Sequence, residues 1–138
     1  MRMWMVDVRL LCRKHLMGEH VENHMFVTTI EQNKSVQGYM DKNLLEVSAL
    51  EDRHRELAEE IVRRGYNHKS PWKGNWDKIK KHFQWERIKD MKVDREAAAG
   101  ELFRRCEACR DLYADKFAND INQLVDNNES IKRLIEDL

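Results

Sequence analysis

The chain has 138 residues, of which 41% are hydrophobic and 36% are charged, and its formal net charge is zero. This length fits one domain with its own hydrophobic core. No apolar stretch is long enough to cross a membrane, which excludes a membrane-spanning protein. Three cysteines without a secretory signal predict a reducing, cytoplasmic compartment.

The charges are unevenly distributed along the chain. Residues 111–138 contain seven Asp or Glu and three Lys or Arg, whereas residues 63–82 contain seven Lys or Arg and one Asp. A local basic segment is compatible with nucleic-acid binding, which a net charge of zero would otherwise disfavour. We expect a helical domain over residues 1–113 and an acidic helical extension over residues 114–138.

The hydrophobic pattern predicts an all-α fold, because no segment alternates apolar and polar residues as a strand does. We expect a compact single domain of three main helices plus short helices. The first helix should run from about Leu10 to Asn33, with Glu22 pointing away from its apolar stripe. The residues expected on that core-facing stripe are Met17, Val21, Met25 and Thr28.

The remaining elements follow from local signals. A loop around Gly38 precedes the second helix, and Gly65 is expected to end that helix as its C′ residue. Asp94 is the expected N-cap of the third long helix. The core stripe expected for this third helix includes Cys106, Cys109, Tyr113 and Phe117. The predicted helices after the first span residues 44–64, 76–85, 94–117 and 130–137.

The first part of the chain offers a candidate pair of catalytic groups. These are a terminal amine and, one helix later, a carboxylate. A free α-amine loses its proton nearer neutral pH than a lysine side chain does, so part of it is nucleophilic. Such an amine can attack a sugar C1′ and form an imine, while a carboxylate such as Glu22 stabilises the cation and moves protons. Because Arg2 is bulky, we expect the methionine to be retained and the amine to belong to Met1. The alternative is a frayed, idle terminus.

Two separated blocks of sequence, together with the start Met1-Arg2-Met3-Trp4, resemble the pyrimidine-dimer DNA glycosylase family, whose prototype is the phage endonuclease V. The similarity covers about residues 1–72, with weaker similarity at Val93-Asp94 and at Arg105-Cys106-x-x-Cys109. The two blocks are His15-Leu16-Met17-Gly18-Glu19-His20 with Glu22, and Arg53-His54 with Glu56-Leu57-Ala58-Glu59-Glu60 leading to Arg63-Arg64-Gly65-Tyr66-Asn67-His68-Lys69-Ser70-Pro71.

The resemblance implies an all-helical fold in which the N-terminal segment threads between helices. It implies excision of UV-induced cyclobutane pyrimidine dimers, an imine formed by the N-terminal amine, and β-elimination that nicks the strand, which is AP-lyase activity. Met1 and Glu22 take the catalytic positions, and Arg2 and His15 lie beside the site. The implied partner is double-stranded DNA carrying a lesion, kinked and with a base opposite the lesion flipped out. No metal, organic cofactor or obligate protein partner is implied, and we expect a monomer in a bacterial or phage-infected cytoplasm.

Basic and aromatic residues are interleaved between residues 63 and 82, as suits phosphate contacts and stacking on bases. With the resemblance, we expect Arg2, His15, Arg64, His68 and Lys69 to contact DNA. For Trp72 and Trp76 we expect packing against the core. The alternative for the segment is a solvated surface with aromatic residues that cover the core.

The chain also departs from the family pattern. Val21 and Met25 stand where relatives or the prototype carry phosphate-holding arginines, and an acidic stretch replaces the prototype's aromatic, basic C-terminus. DNA affinity and lesion choice are therefore the properties expected to differ. Two alternative functions stay open: a non-catalytic DNA-binding or DNA-mimicking protein on the same fold, and a glycosylase for another modified base.

Three further side-chain groups have two interpretations each. Glu19, one turn before Glu22, forms either an acid/base pair with it or a hydrated helix face. His15 is either a proton carrier or a histidine in the wall of the site. A single Cys106-x-x-Cys109 pair is weak evidence for zinc, even with His20 and His24 as further ligands. We expect buried core cysteines instead.

Overall fold

The computed structural model describes residues 1–126 together with residues 133, 134 and 136. All regular elements in this part of the chain are helices, which confirms the expected all-α fold. The helix expected over residues 130–137 falls mostly outside the described residues. One-turn 3₁₀ helices lie at Val8–Leu10 and Val47–Ala49, and the α-helices are α1 (Arg13–Glu31), α2 (Gln37–Asp41), α3 (Leu50–Arg63), α4 (Trp76–Ile79), α5 (Trp85–Ile88), α6 (Arg95–Arg105) and α7 (Glu107–Asp126).

The hydrophobic core is centred on the contact between α1 and α3, the most extensive contact between two described helices. Leu16, Phe26 and Ile30 of α1 and Leu57 and Ile61 of α3 are almost completely buried. Burying a side chain of this size contributes roughly 1.5–3 kcal/mol. The two helices therefore form a rigid base on which the N-terminal segment can lie.

α1 turns a different face to the core from the one expected. Val21 and Met25 are 54% and 48% exposed, whereas the polar residues Glu19, His20 and Asn23 are buried. The prediction that Val21 and Met25 face the core is wrong, because it ranked side chains by polarity alone. A buried polar group costs little when it is hydrogen-bonded, and Asn23 Nδ2 donates to a backbone carbonyl at the start of α3.

The N-terminal segment runs against α1 and against residues 44–46, which confirms the expected threading. Met3 is completely buried, and its N–H donates a 2.7 Å hydrogen bond to the carbonyl of Leu44. The Met3 sulfur accepts the N–H of Glu46 at 3.3 Å. Contacts with the backbone of residues 44–46 thus hold the segment on one side, independently of its contacts with α1.

The termini of the later helices follow local signals, with one exception. Gly65 has φ +83°, a left-handed conformation in which glycine avoids the steric cost of a side chain, and it ends α3 as predicted. The Asp94 side chain accepts the N–H of Ala97 at 3.0 Å, which confirms it as an N-cap. The exception is Cys106, whose extended backbone (φ −123°, ψ 108°) divides the expected third helix into α6 and α7.

α7 is more exposed than the sequence suggested. Tyr113 and Phe117 were expected on the core stripe but are 46% and 56% exposed, so that prediction is wrong. The expected boundary between residues 113 and 114 falls inside α7, and the division into two domains remains a prediction. The predicted basic helix over residues 76–85 is replaced by the two short helices α4 and α5. None of the helices in the described residues is long and apolar enough to span a membrane.

Candidate active site

A cavity of about 540 Å³ opens where the N-terminal segment lies beside α1 and α6. Met1 and His15 line it, together with cationic side chains and carboxylates. Such a mixture suits a site that holds a phosphate backbone and also moves protons. The charged side chains in the lining are Arg2, Lys14, Lys42, Arg105, Glu19, Glu22 and Glu101.

Glu22 reaches the chain terminus from the middle of α1. Its Oε2 accepts a 3.1 Å hydrogen bond from the backbone N–H of Arg2. This N–H belongs to the backbone nitrogen that follows the Met1 α-amine. The structure therefore brings together the two residues that the sequence predicted as nucleophile and acid.

Glu19 is a buried anchor for the N-terminal segment. One oxygen, Oε1, accepts the backbone N–H of Trp4 at 3.1 Å and Nη2 of Arg53 at 3.0 Å, while the other accepts Arg53 Nε at 2.5 Å. Both side chains of this ion pair are at most 2% exposed. Burial by itself lowers the pKa of Arg53, but hydrogen bonding and attraction to Glu19 outweigh it, and the pKa is raised.

The sequence interpretation missed this anchor. Glu19 is neither part of a free acid/base pair nor on a hydrated helix face, because Arg53 and Trp4 occupy its oxygens. Arg53 was not singled out as a site residue at all. The available signal was that Glu19 and Arg53 each lie in one of the two blocks that resemble the glycosylase family.

Arg2, Trp4 and His15 contact one another in series along the cavity wall, with Trp4 in the middle. The Arg2 guanidinium lies 3.9 Å from the centroid of a Trp4 ring, and the Trp4 and His15 rings meet edge to face at 5.7 Å. Burial is the main cause that lowers the pKa of both Arg2 and His15. The Arg2 guanidinium is thus held by an aromatic face, and its backbone N–H contacts Glu22 in the cavity lining.

The structure separates the other expected DNA-contacting residues from this cavity. Arg64 donates to Glu60 at 2.7 Å and to the carbonyl of Val8 at 3.0 Å, so it joins α3 to the first 3₁₀ turn. His68 lies 2.9 Å from His20 through their Nε2 atoms. Lys69 lines a second groove.

That second groove, of about 620 Å³, runs along a different face of α1 from the cavity. It is lined by the exposed side chains of Val21 and Met25 and by Lys34, Lys69 and Lys73. The two positions that depart from the family pattern therefore lie on a groove with three lysines. Trp72 and Trp76 pack against each other at 5.5 Å and against the core, as expected.

A cluster of four histidines lies behind this groove. The rings of His20, His24, His54 and His68 meet at centroid distances of 4.8–5.3 Å. Burial, followed by repulsion from the other three imidazoles, lowers the pKa of His20 to about 4. His20 is therefore neutral at physiological pH.

Among the described residues, two groups of side chains have possible ligand atoms within 4.8 Å of one another. One is the histidine group His20, His54 and His68. The other joins the three cysteines to a histidine, but that histidine is His15 and not His20 or His24. The members of this second group are Cys12, His15, Cys106 and Cys109.

Comparison with known proteins gives one family. A family model described as pyrimidine dimer DNA glycosylase matches residues 1–74, just over half of the chain. No curated protein and no solved structure gives a significant match. The matched residues include Met1, Glu19, Glu22 and Arg53, whereas α6 and α7 lie outside the match.

Proposed function

Because the chain belongs to the pyrimidine dimer DNA glycosylase family, we propose that it excises cyclobutane pyrimidine dimers from double-stranded DNA through an imine on the Met1 α-amine. The observation that carries this proposal is the hydrogen bond from the Arg2 N–H to Glu22. The Glu22 carboxylate contacts the residue next to the amine, and Met1 and Glu22 line the same cavity, which supports the proposed pairing.

The proposed reaction has two stages. The unprotonated amine attacks C1′ of the 5′ sugar of the dimer, and the glycosidic C1′–N bond breaks as the base takes the electron pair and a proton. Opening of the sugar ring then leaves an imine between the Met1 nitrogen and C1′. Loss of a C2′ proton expels the 3′ phosphate by β-elimination, which nicks the strand, and hydrolysis of the imine restores the amine.

Glu22 has two tasks in this scheme. Its negative charge stabilises the cation that develops at C1′ and on the imine nitrogen. Its oxygens carry protons between the amine and the sugar. Both tasks require the carboxylate to stay within contact of the terminus, as the bond to Arg2 supports.

The anchor formed by Glu19 and Arg53 serves the same reaction by positioning. It holds the N–H of Trp4, and the Leu44 carbonyl holds the N–H of Met3, so the residues behind the nucleophile are fixed. A nucleophile held in place avoids most of the entropy cost of meeting its target. In this proposal Glu19 and Arg53 are positioning residues and do not touch the substrate.

DNA binding is proposed for Arg2 and His15 in the cavity and for Lys69 in the second groove. Arg64 and His68 are also proposed as contacts, although both have internal partners. Arg64 is hydrogen-bonded to Glu60, and His68 is hydrogen-bonded to His20. Each would have to exchange an internal bond for a phosphate, so we expect Lys69 to contribute more than either.

A tag at each end of the chain tests the proposal. An N-terminal extension converts the α-amine into an amide and should abolish nicking of dimer-containing duplex DNA, while binding to that DNA remains. A C-terminal tag of the same composition serves as the control and should leave nicking intact. Nicking by the N-terminally extended protein at the rate of the control would overturn the mechanism.

A further inference from the structure

We propose that Cys12, His15, Cys106 and Cys109 bind one Zn²⁺ ion in a closed tetrahedral site. The four residues come from three places in the fold. Cys12 directly precedes α1, His15 lies in its first turn, and the cysteine pair lies at the junction of α6 and α7. Cysteine and histidine are the ligands that structural zinc sites use.

The four ligand atoms lie within 4.8 Å of one another, and two of the distances between them are close to those in a tetrahedral zinc site. Zinc–sulfur and zinc–nitrogen bonds of about 2.3 and 2.0 Å require sulfur–sulfur and sulfur–nitrogen separations of about 3.8 and 3.5 Å. Cys12 and Cys106 have a sulfur–sulfur distance of 3.8 Å. His15 Nδ1 lies 3.6 Å from the Cys109 sulfur and 3.2 Å from the Cys12 sulfur.

Backbone hydrogen bonds to the sulfur atoms also support bound thiolates. The N–H of Cys12 points to the Cys109 sulfur at 3.2 Å, and the N–H of Cys109 points to the Cys106 sulfur at 3.4 Å. A neutral thiol is a weak acceptor, whereas a metal-bound thiolate is commonly stabilised by such outer contacts. The extended backbone of Cys106, which separates α6 from α7, permits this arrangement.

Two simpler explanations account for less of the geometry. A disulfide between Cys12 and Cys106 would require a sulfur–sulfur distance of about 2.0 Å and would not explain the approach of His15 and Cys109. Packing against the core would explain the burial of Cys109 and the partial burial of Cys12 and Cys106. An apolar core, however, has no need of an imidazole nitrogen directed at two sulfur atoms.

The histidine group is the weaker of the two possible metal sites. His54 Nε2 lies 3.0 Å from the carbonyl of Ser70, a contact that requires this nitrogen to donate a proton. A nitrogen that carries a proton cannot ligate a metal at the same time. Soft sulfur ligands also select zinc over the hard cations Mg²⁺ and Ca²⁺, and this favours the cysteine-containing group.

Binding would release protons without any redox change. Three cysteine thiols each lose a proton and His15 binds as the neutral imidazole, so the occupied site carries one negative charge. Lys14 and Arg105 line the cavity beside His15 and supply positive charge next to it. With four protein ligands the site has no open position, which is typical of a structural ion.

The ion would tie the part of the chain outside the family match to the part inside it. Cys106 and Cys109 follow α6, the helix that presents Glu101 and Arg105 to the cavity. Cys12 and His15 belong to the matched residues at the start of α1. The proposed metal would therefore fix one wall of the cavity against the helix that carries Glu22.

Metal content and cobalt spectroscopy test this proposal independently of any glycosylase activity. The untagged full-length protein, purified without chelator, should contain one zinc per chain by elemental analysis. Zinc X-ray absorption should show sulfur neighbours at about 2.3 Å. After replacement by Co²⁺ we expect the strong visible bands of tetrahedral cobalt and a thiolate charge-transfer band, which falls by about a third in Cys12→Ser.

A matched pair of histidine variants checks the fourth ligand. His15→Gln should change the visible cobalt bands, whereas His24→Gln, on the same helix but outside the four-residue group, should leave them unchanged. If Cys12→Ser does not fold, the X-ray absorption of the wild-type chain still decides. The proposal would be overturned if the protein contained no zinc and gave no cobalt charge-transfer band, or if its metal had no sulfur neighbours. A Cys12–Cys106 disulfide that persists in protein purified under reducing conditions would also overturn it.

Discussion

Glu22 Oε2 lies 3.1 Å from the backbone nitrogen of Arg2, although twenty positions separate the two residues in sequence. The contact exists because the N-terminal segment turns back along α1, held by Glu19 at Trp4 and by Leu44 at Met3. A terminus held in this way meets the requirement of amine catalysis that nucleophile and carboxylate stay in register.

Replacing Glu22 by Gln removes the negative charge of the side chain but keeps its size and shape. The amide oxygen can still accept the Arg2 N–H, but it neither stabilises a cation nor carries protons. We expect nicking of dimer-containing DNA to fall by about 10²–10⁴ while the dissociation constant changes only a few-fold. Glu59→Gln, at an exposed position of α3, is the control and should behave as wild type. Equal nicking rates for the two variants would show that Glu22 does not act in the reaction.

Removing Arg53 should destabilise the fold far more than removing a neighbouring arginine. Arg53→Met leaves the buried Glu19 carboxylate without its partner, and we expect a cost of about 3–5 kcal/mol in the free energy of unfolding. Arg55→Met on the same helix breaks only an exposed pair with Asp52 and should cost about 1 kcal/mol or less. Urea denaturation measures both variants.

The double variant Glu19→Gln/Arg53→Met gives a second readout of that pair. Because it leaves no unpaired buried charge, its cost should be smaller than the sum of the two single variants. Additive costs, or equal costs for Arg53→Met and Arg55→Met, would contradict the role of Glu19 and Arg53 as a coupled anchor.

The histidine cluster predicts that stability decreases in mild acid. The pKa of His20 is lowered from 6.5 to about 4 in the folded state by burial and by His24, His54 and His68. The unfolded chain therefore binds more protons between these values, and the free energy of unfolding falls as the pH drops through this window. Urea midpoints measured across the window give the slope.

A comparison with His20→Gln isolates this effect, since acid would also protonate the ligands of the proposed zinc site. The variant should show a shallower loss of stability between pH 6.5 and pH 4 than the wild type. Identical slopes would mean that the cluster does not govern the acid response.

Restoring basic residues on the second groove should strengthen DNA binding. Val21 and Met25 are exposed beside Lys69, so an arginine at either position can reach a phosphate. Each added contact should steepen the dependence of log K on log salt by about 0.9. Val62→Arg, at an exposed position outside this groove, is the control. If Val62→Arg has the same effect as Val21→Arg, the second groove is not where DNA binds.

Local signals in the sequence correctly predicted the structural features that depend on residues adjacent in the chain. Gly65 and Asp94 fix helix ends through their own backbone conformation or side chain, and the absence of strand-like alternation was enough for the fold class. The residues alone suggested pairing the Met1 amine with Glu22, and the family resemblance strengthened that prediction. No spacing rule fixes the path that the N-terminal segment takes.

Contacts between residues that are far apart in the sequence could not be predicted from the sequence. Glu19 is buried because Arg53, thirty-four positions later, neutralises it, and hydrophobicity alone assigns it to the surface. Cys12 meets Cys109 across ninety-seven positions, so the Cys106-x-x-Cys109 pair could not identify its other two partners. The same dependence on partners explains why the core face of α1 was assigned wrongly.

Borohydride trapping on duplex DNA with a single cyclobutane thymine dimer tests the central claim most directly. Untagged protein should give a covalent adduct that peptide mass spectrometry maps to the Met1 α-nitrogen, and Glu22→Gln should give little or none. An adduct that maps to a lysine side chain, or no adduct on either the dimer or an abasic duplex, would contradict catalysis by the terminal amine.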